Sequence, residues 1–406
     1  MPTDTTQRIA PAASELQTLV VVSGAHLISH LHIMVLPVLL PLLKDQLQVG
    51  FFELGLALTT FNVVTGVTQA PMGFLVDRVG AKIVLIAGLM LGGLAFMSLG
   101  FTSTYAWLFV TAVLAGLANC VYHPADYAIL TDSIAEDRIG RAFSIHTFAG
   151  FVGGAIAPPL LLGLAAIGGL STSLICAGLL AWATAAVVFL IPDQQQADTR
   201  AAAGNAAGTS SAASVLSPAV IGLTGFFTLL ALSHGAMYSF SVVALIAGHG
   251  VSLAVATAAL TAYLAGSAAG VLAGGALADR TRRHGDVAAL GFGLSALIAL
   301  CIAVFSLPAL VLIGAMGLTG VLVGMVQPSR DMLVRKAAPP GAAGRVFGIV
   351  STGFNIGGIV GPLLFGWLMD TGSPRWIFGA AVAFMAATAL FALVEDRRPR
   401  RRPVAA

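Results

Sequence analysis

Long apolar runs, separated by short clusters of charge, fill almost the whole chain. Twelve runs approach or exceed the roughly 20 residues that a helix needs to cross a bilayer. They are 18–43, 51–76, 83–101, 105–130, 142–166, 172–192, 218–246, 253–278, 287–305, 309–334, 345–370 and 375–394. The runs are too long and too uniformly apolar for barrel strands, which alternate lipid-facing and lumen-facing residues. The pattern therefore predicts an all-α membrane protein with twelve transmembrane helices. Residues 1–17 form a polar tail without a charged segment leading into a short apolar one, so the first span is expected to be retained rather than cleaved.

The spans divide into two sets of six. Between them, residues 193–217 read DQQQADTRAAAGNAAGTSSAASVLS, a composition expected of a flexible linker. The expected domains are a tail at 1–17, a six-helix half at 18–192, the linker at 193–217, a second half at 218–394 and a basic tail at 395–406. The halves look related in sequence. Ser29-His30 matches Ser233-His234 at an offset of 204, and Asp77-Arg78 matches Asp279-Arg280 at 202. Pro124 matches Pro328, Arg141 and Phe143 match Arg345 and Phe347, and Gly154 and Pro158 match Gly358 and Pro362, all at 204. A repeat of this length suits two halves that rock about a central site.

Composition sharpens this reading. The chain is 58% hydrophobic and 9% charged, with a mean hydropathy of +0.95, far from the charged surface of a soluble protein. With twelve spans, 18 of the 20 Lys and Arg residues fall on the side that holds both termini; only Lys44 and Arg375 fall on the other. The positive-inside rule then places both termini in the cytoplasm of a cell whose inner membrane the chain crosses repeatedly. The net charge of +3 reflects this topology. The tail RRPRRRP at 397–403 is expected to meet anionic lipid rather than nucleic acid. Cys120, Cys176 and Cys301 lie inside apolar spans and suggest no disulfide framework. No phosphate-binding loop of the Gly-x-x-x-x-Gly-Lys-Ser/Thr type occurs, which argues against ATP-driven pumping. No cofactor is expected; the expected driving force is a proton gradient, and the expected partners are the bilayer and a small-molecule substrate, with the chain acting as a monomer.

Ionisable residues within spans carry the chemistry, because they are costly in lipid and usually face a bundle interior. The first span holds His26, His30 and His32; His26 and His30 are four apart and share a helix face. The seventh holds His234, the repeat partner of His30. In the fourth, Asp126 lies in Tyr122-His123-Pro124-Ala125-Asp126-Tyr127, and its repeat position is Arg330 in the tenth. Opposite charges at related positions suggest an ion pair that gates the cytoplasmic side, with Asp126 able to take a proton when the pair opens. Histidines 26, 30, 123 and 146 would suit a transition metal, but no thiolate spacing or carboxylate cage is visible in the sequence, so no metal site is expected. Gly150 and Gly154 in the fifth span, and Gly353 and Gly357 in the eleventh, place small residues on one face for close helix packing. Pro158 and Pro362 follow and can weaken the helix locally. Ser29 and His30 point about 100° apart on a helix, so they make no nucleophile–base dyad, and no enzyme is expected.

One motif gives these features a family. GFLVDRVGAK at 73–82 recurs in altered form as GALADRTRR at 275–283, each copy joining two apolar spans. The pattern resembles the signature loop of the major facilitator superfamily. That resemblance implies twelve helices in two pseudo-symmetric halves, with Gly73, Asp77, Arg78, Gly80 and Lys82 as gating candidates, and Gly275, Asp279 and Arg280 in the second copy. It also implies a central cavity lined by the first, fourth, seventh and tenth spans, which would bring His30 towards His234. GFVGGAIAPP at 150–159 resembles a reduced form of the antiporter motif. The fourth span lacks the Arg usual in drug/proton antiporters. Ser29-His30, LPVLLPLLKDQL at 36–47 and His123-Pro124 resemble the fosmidomycin-resistance-like exporters. The expectation is a secondary transporter moving a small organic compound by alternating access, by proton-coupled efflux. The alternatives are an importer or facilitator of another solute, such as an organic acid or metal chelate, and a non-transporting membrane sensor.

Overall fold

The computed structural model describes residues 12–190, 217–338 and 343–397. Residues 1–11, 191–216, 339–342 and 398–406 lie outside them, so the expected linker at 193–217 falls outside the described residues except for Ser217. Every regular element described is a helix. In chain order they are α1 Ala12–Leu47, α2 Phe51–Val79, α3 Ala81–Phe101, α4 Tyr105–Ser133, α5 Ile139–Phe189, α6 Pro218–Ser239, α7 Ser241–His249, α8 Leu253–Arg280, α9 His284–Val304, α10 Ala309–Ala337, α11 Ala343–Asp370 and α12 Trp376–Arg397. Eleven are long and apolar enough to cross a membrane.

The helices depart from the one-span, one-helix expectation in two places. The 51-residue α5 carries the fifth and sixth expected spans and breaks inside at Gly168 and Gly169. Gly169 has φ 77°, a conformation that costs glycine nothing and other residues a Cβ clash. The seventh expected span is divided between α6 and α7 at Phe240, a fully buried residue whose ring centroid lies 5.6 Å from that of Phe365. By contrast, Pro124 and Pro328 sit inside continuous helices. Interior prolines are tolerated in membrane helices because neighbouring groups re-satisfy the freed carbonyls.

The helices form two compact units. The first contains α1 up to Val35, residues Val64–Ala157 and the chain from Leu161 through the rest of α5. A glycine and a histidine mark the seams of its interior. Gly153 lies so close to the Leu27 backbone that a side chain there would collide with it. His32 Nε2 donates to the Ala177 carbonyl at 3.0 Å, and its ring stands edge-on to Phe96.

The second unit contains Leu36–Val63, Pro158–Leu160 and the chain from Thr209 onward. So the end of α1 and the start of α2, although early in sequence, group with the later helices. Specific contacts hold them there. Thr59 Oγ1 donates to the Ile359 carbonyl at 2.9 Å. The Asp370 carboxylate accepts from the Phe51 and Phe52 amides at 2.9 and 2.7 Å. Those amides are orphan donors at a helix start, where an anion is favoured. Along α8, Gly266, Gly270 and Gly274 recur every fourth residue and face the α10 backbone at Gly317, Val321 and Met325. Gly320 and Gly324 of α10 press back on Tyr263 and Ser267. Small residues let backbones approach where lipid supplies no hydrophobic drive for association.

Candidate functional site

In the first unit, three helices converge on one polar cluster. Helix α1 supplies His26 and His30 from one face, α4 supplies His123 and Asp126, and α5 supplies His146. Asp126 and His146 are fully buried and His26 is 3% exposed, whereas His123 is exposed. His26 Nδ1 lies 3.4 Å from Asp126 Oδ2, and His146 Nε2 lies 3.6 Å from the same oxygen. The imidazoles crowd together. His26 stacks on His146 with centroids 4.0 Å apart, meets His30 edge-on at 4.7 Å and lies 5.2 Å from His123. Tyr127 closes one flank, with its ring 5.9 Å from His123 and 5.8 Å from His146.

The backbone makes room for this crowd. A Cβ at Gly150 would come within 2.8 to 2.9 Å of ring atoms of His26 and His30. Gly154, a turn further on, has nothing within 4 Å of such a position. Of the two glycines read as a packing pair in α5, Gly150 is thus the one that touches α1.

Pairing inside the cluster is incomplete. His26 Nδ1, both Asp126 oxygens and both His146 nitrogens are buried without a hydrogen-bond partner among the described residues. A buried polar atom left unsatisfied costs about 1–3 kcal/mol, so five such atoms on three adjoining side chains mark a place built for something other than packing. The donor atoms of His26, Asp126 and His146 all lie within 4.8 Å of one another. Such a set can share protons or hold one small cation.

The second unit places its expected site residues differently. His234 Nδ1 is 3.2 Å from the Tyr263 hydroxyl, and its ring lies 4.9 Å from Tyr238. Arg330 binds its neighbour Asp331, with Nε and Nη2 each 2.8 Å from Oδ1. Its guanidinium also lies over the rings of Phe227 and Phe354, at 5.1 and 5.4 Å. Gly353 and Gly357 of α11 pack against α6: side chains there would strike the Thr224 carbonyl and Ala231. Pro362 sits beside Gly55, whose missing side chain leaves room for the Pro362 carbonyl. Pro158 lies within α5.

The loop motif lies at helix ends. Asp77 and Arg78 close α2, exposed, and Gly80 turns the chain into α3 with φ 102°. Lys82 lies over the Phe189 ring at 5.8 Å. Asp279 and Arg280 are exposed at the end of α8. Neither Gly73 nor Gly275 has a neighbour within 4 Å of where a Cβ would stand.

A family profile described as Major Facilitator Superfamily matches residues 22–245 and 226–406. The chain belongs to the major facilitator superfamily. Its relatives include an uncharacterised transporter of this superfamily, YfnC of Bacillus subtilis, 26% identical over 148 residues, 36% of each chain. The methyl viologen resistance protein SmvA of Salmonella typhimurium is 30% identical over 148 residues, 36% of this chain and 30% of its own. A probable L-galactonate transporter of Escherichia coli is 23% identical over 138 residues, 34% of this chain and 30% of its own. The matched stretch is about a third of each relative. A bacterial homologue of the human lysosomal transporter Spinster, solved inward-facing and unoccupied, superposes with a TM-score of 0.76 at 14% identity, covering 95% of this chain and 96% of that one. The chain is therefore a multi-pass membrane protein with the fold of this superfamily.

Sequence reasoning named every member of the cluster except one as a site residue. His146 was grouped only with the other histidines, and nothing tied it to Asp126. A signal was available: His146 and Gly150 are four apart on α5, so a ligand-type residue and a space-giving glycine share a face.

Proposed function

We propose that this chain is a transporter that exports a small organic compound by alternating access of two pseudo-symmetric six-helix halves, driven by a proton gradient. The finer kinship is with the fosmidomycin-resistance-like exporters. It works as a monomer in the inner membrane with both termini in the cytoplasm. The observation that carries this reading is the α1–α4–α5 cluster, a buried carboxylate amid imidazoles with five unpaired polar atoms. Intramembrane ionisable groups of this kind are expensive and mark ion and proton pathways. Loading the cluster with a cation lowers the energy of one conformation relative to the other, and that difference is what couples the gradient to solute movement. Support for export comes from the SmvA relative, named for resistance to methyl viologen.

Substrate-dependent proton movement tests the proposal. Inside-out vesicles containing the protein, loaded with a pH-sensitive dye, are given a panel of drugs, organic acids and metal ions. Release of luminal protons in protein-containing vesicles alone is the expected result. Solute uptake unaffected by collapsing the pH gradient contradicts proton-driven efflux.

A further inference from the structure

We infer that the cluster of His26, Asp126 and His146 is a binding site for a divalent transition-metal ion, which the transporter holds directly through two imidazoles and one carboxylate. The inference rests on the chain being a solute transporter and adds the chemical class of one ligand.

Three observations point to it. The first is spacing. Metal–nitrogen and metal–oxygen bonds of about 2.0–2.2 Å in a tetrahedral site put neighbouring donors roughly 3.3–3.6 Å apart. The two donor pairs that meet at Asp126 Oδ2 measure 3.4 and 3.6 Å, and the third pair closes the set within 4.8 Å. The second is composition. Imidazole with carboxylate is a donor set for borderline divalent ions such as zinc, cobalt or nickel, whereas calcium and magnesium take oxygen ligands. The third is the unpaired state of these donors. Ligating imidazoles on ordinary packing duty find a partner, as His32 does on the Ala177 carbonyl and His234 does on the Tyr263 hydroxyl. His26 Nδ1 and both Asp126 oxygens are buried and make no hydrogen bond among the described residues, meeting only one another and His146 at ion-pair distance.

The arrangement also says what kind of site it is. Three protein ligands leave a coordination position open, the mark of a site that can bind a further ligand rather than of a closed structural ion. His123, exposed and 5.2 Å from His26 by ring centroid, stands at the edge of the set. The open position can take His123, water or a donor atom of an organic solute, so a metal–chelator complex can be held through its metal. Because His26 and His146 stack with ring planes only 24° apart, their in-plane lone pairs do not yet converge. Closing on an ion turns one ring, and the rings of His26 and His30 lie against Gly150, where a side chain would hold them fixed.

The test is equilibrium binding of cobalt(II) or zinc(II), supplied as the metal alone, to the full chain purified in detergent and stripped with chelator. The expected result is one saturable equivalent per chain, weakened at least tenfold by Asp126→Asn and by His146→Gln, and unchanged by His249→Gln. The wild-type protein supplies a second readout that needs no variant. Bound cobalt should show the intense visible bands of a four-coordinate ion. The absence of saturable binding, a weak six-coordinate spectrum, or undiminished binding by correctly eluting Asp126→Asn and His146→Gln proteins would overturn the inference. Binding is read without transport, so failure here leaves the proton-flux experiment intact, and failure there leaves a bound ion in place.

Discussion

His30 and His234 occupy matching positions in the repeat, as do Asp126 and Arg330, yet their surroundings differ. Around His234 and Arg330 each polar group has a partner at hand: a tyrosine hydroxyl for the imidazole, and Asp331 with two aromatic faces for the guanidinium. Around Asp126 the imidazoles of His26 and His146 face the carboxylate at 3.4 and 3.6 Å, with no hydrogen bond formed among the described residues. Positions that match in sequence thus differ in chemistry: the second unit's charges meet its own side chains, while the first unit's cluster keeps polar atoms without hydrogen-bond partners among the described residues.

The comparison breaks most sharply at Asp126. Asp126→Asn keeps the shape and removes the charge, and is expected to cut proton-coupled flux at least a hundredfold while exchange of labelled solute persists. His234→Gln, at the satisfied counterpart, should lower flux less than tenfold in the same vesicles. Near-equal losses from the two would erase the asymmetry.

A steric probe comes next. Gly150→Val pushes bulk into ring atoms of His26 and His30 that already lie 2.8 to 2.9 Å from a Cβ position. Transport is expected to fall about tenfold with membrane insertion unchanged, because the rings lose the space they need rather than the helix its fold. Gly154→Val, where nothing lies within 4 Å, should be nearly silent in that assay.

Stability separates the units at smaller scale. Arg330→Lys keeps the charge but loses the flat face that lies over Phe227 and Phe354. Cation–π contacts are worth about 0.5–2 kcal/mol, so the detergent-solubilised variant should unfold a few degrees earlier. Asp370→Asn removes the anion at the start of α2, where such a charge contributes about 0.3–1 kcal/mol. A shift of a degree or two in the same thermal scan is expected.

Much of the fold could be read from the chain. The helices lie within a few residues of the expected spans because lipid demands long apolar runs and leaves few other solutions. The Gly168–Gly169 break falls between two of those runs. The break at Phe240 had no such sign: no glycine or proline stands there. The site was half legible. His26 and His30 share a face by spacing alone, and His32, two residues from His30, points elsewhere, to Phe96 and Ala177. What periodicity within one helix does not give is the meeting of three helices. Asp126 was therefore read against its repeat partner Arg330, while its neighbours within the unit are His26 and His146.

The most direct test of the account is substrate-induced proton release from inside-out vesicles, measured side by side for the wild type, Asp126→Asn and His234→Gln. The account predicts release by the wild type, reduced but present release by His234→Gln, and none by Asp126→Asn. Wild-type release by Asp126→Asn would contradict it, removing the unpaired cluster from the transport cycle.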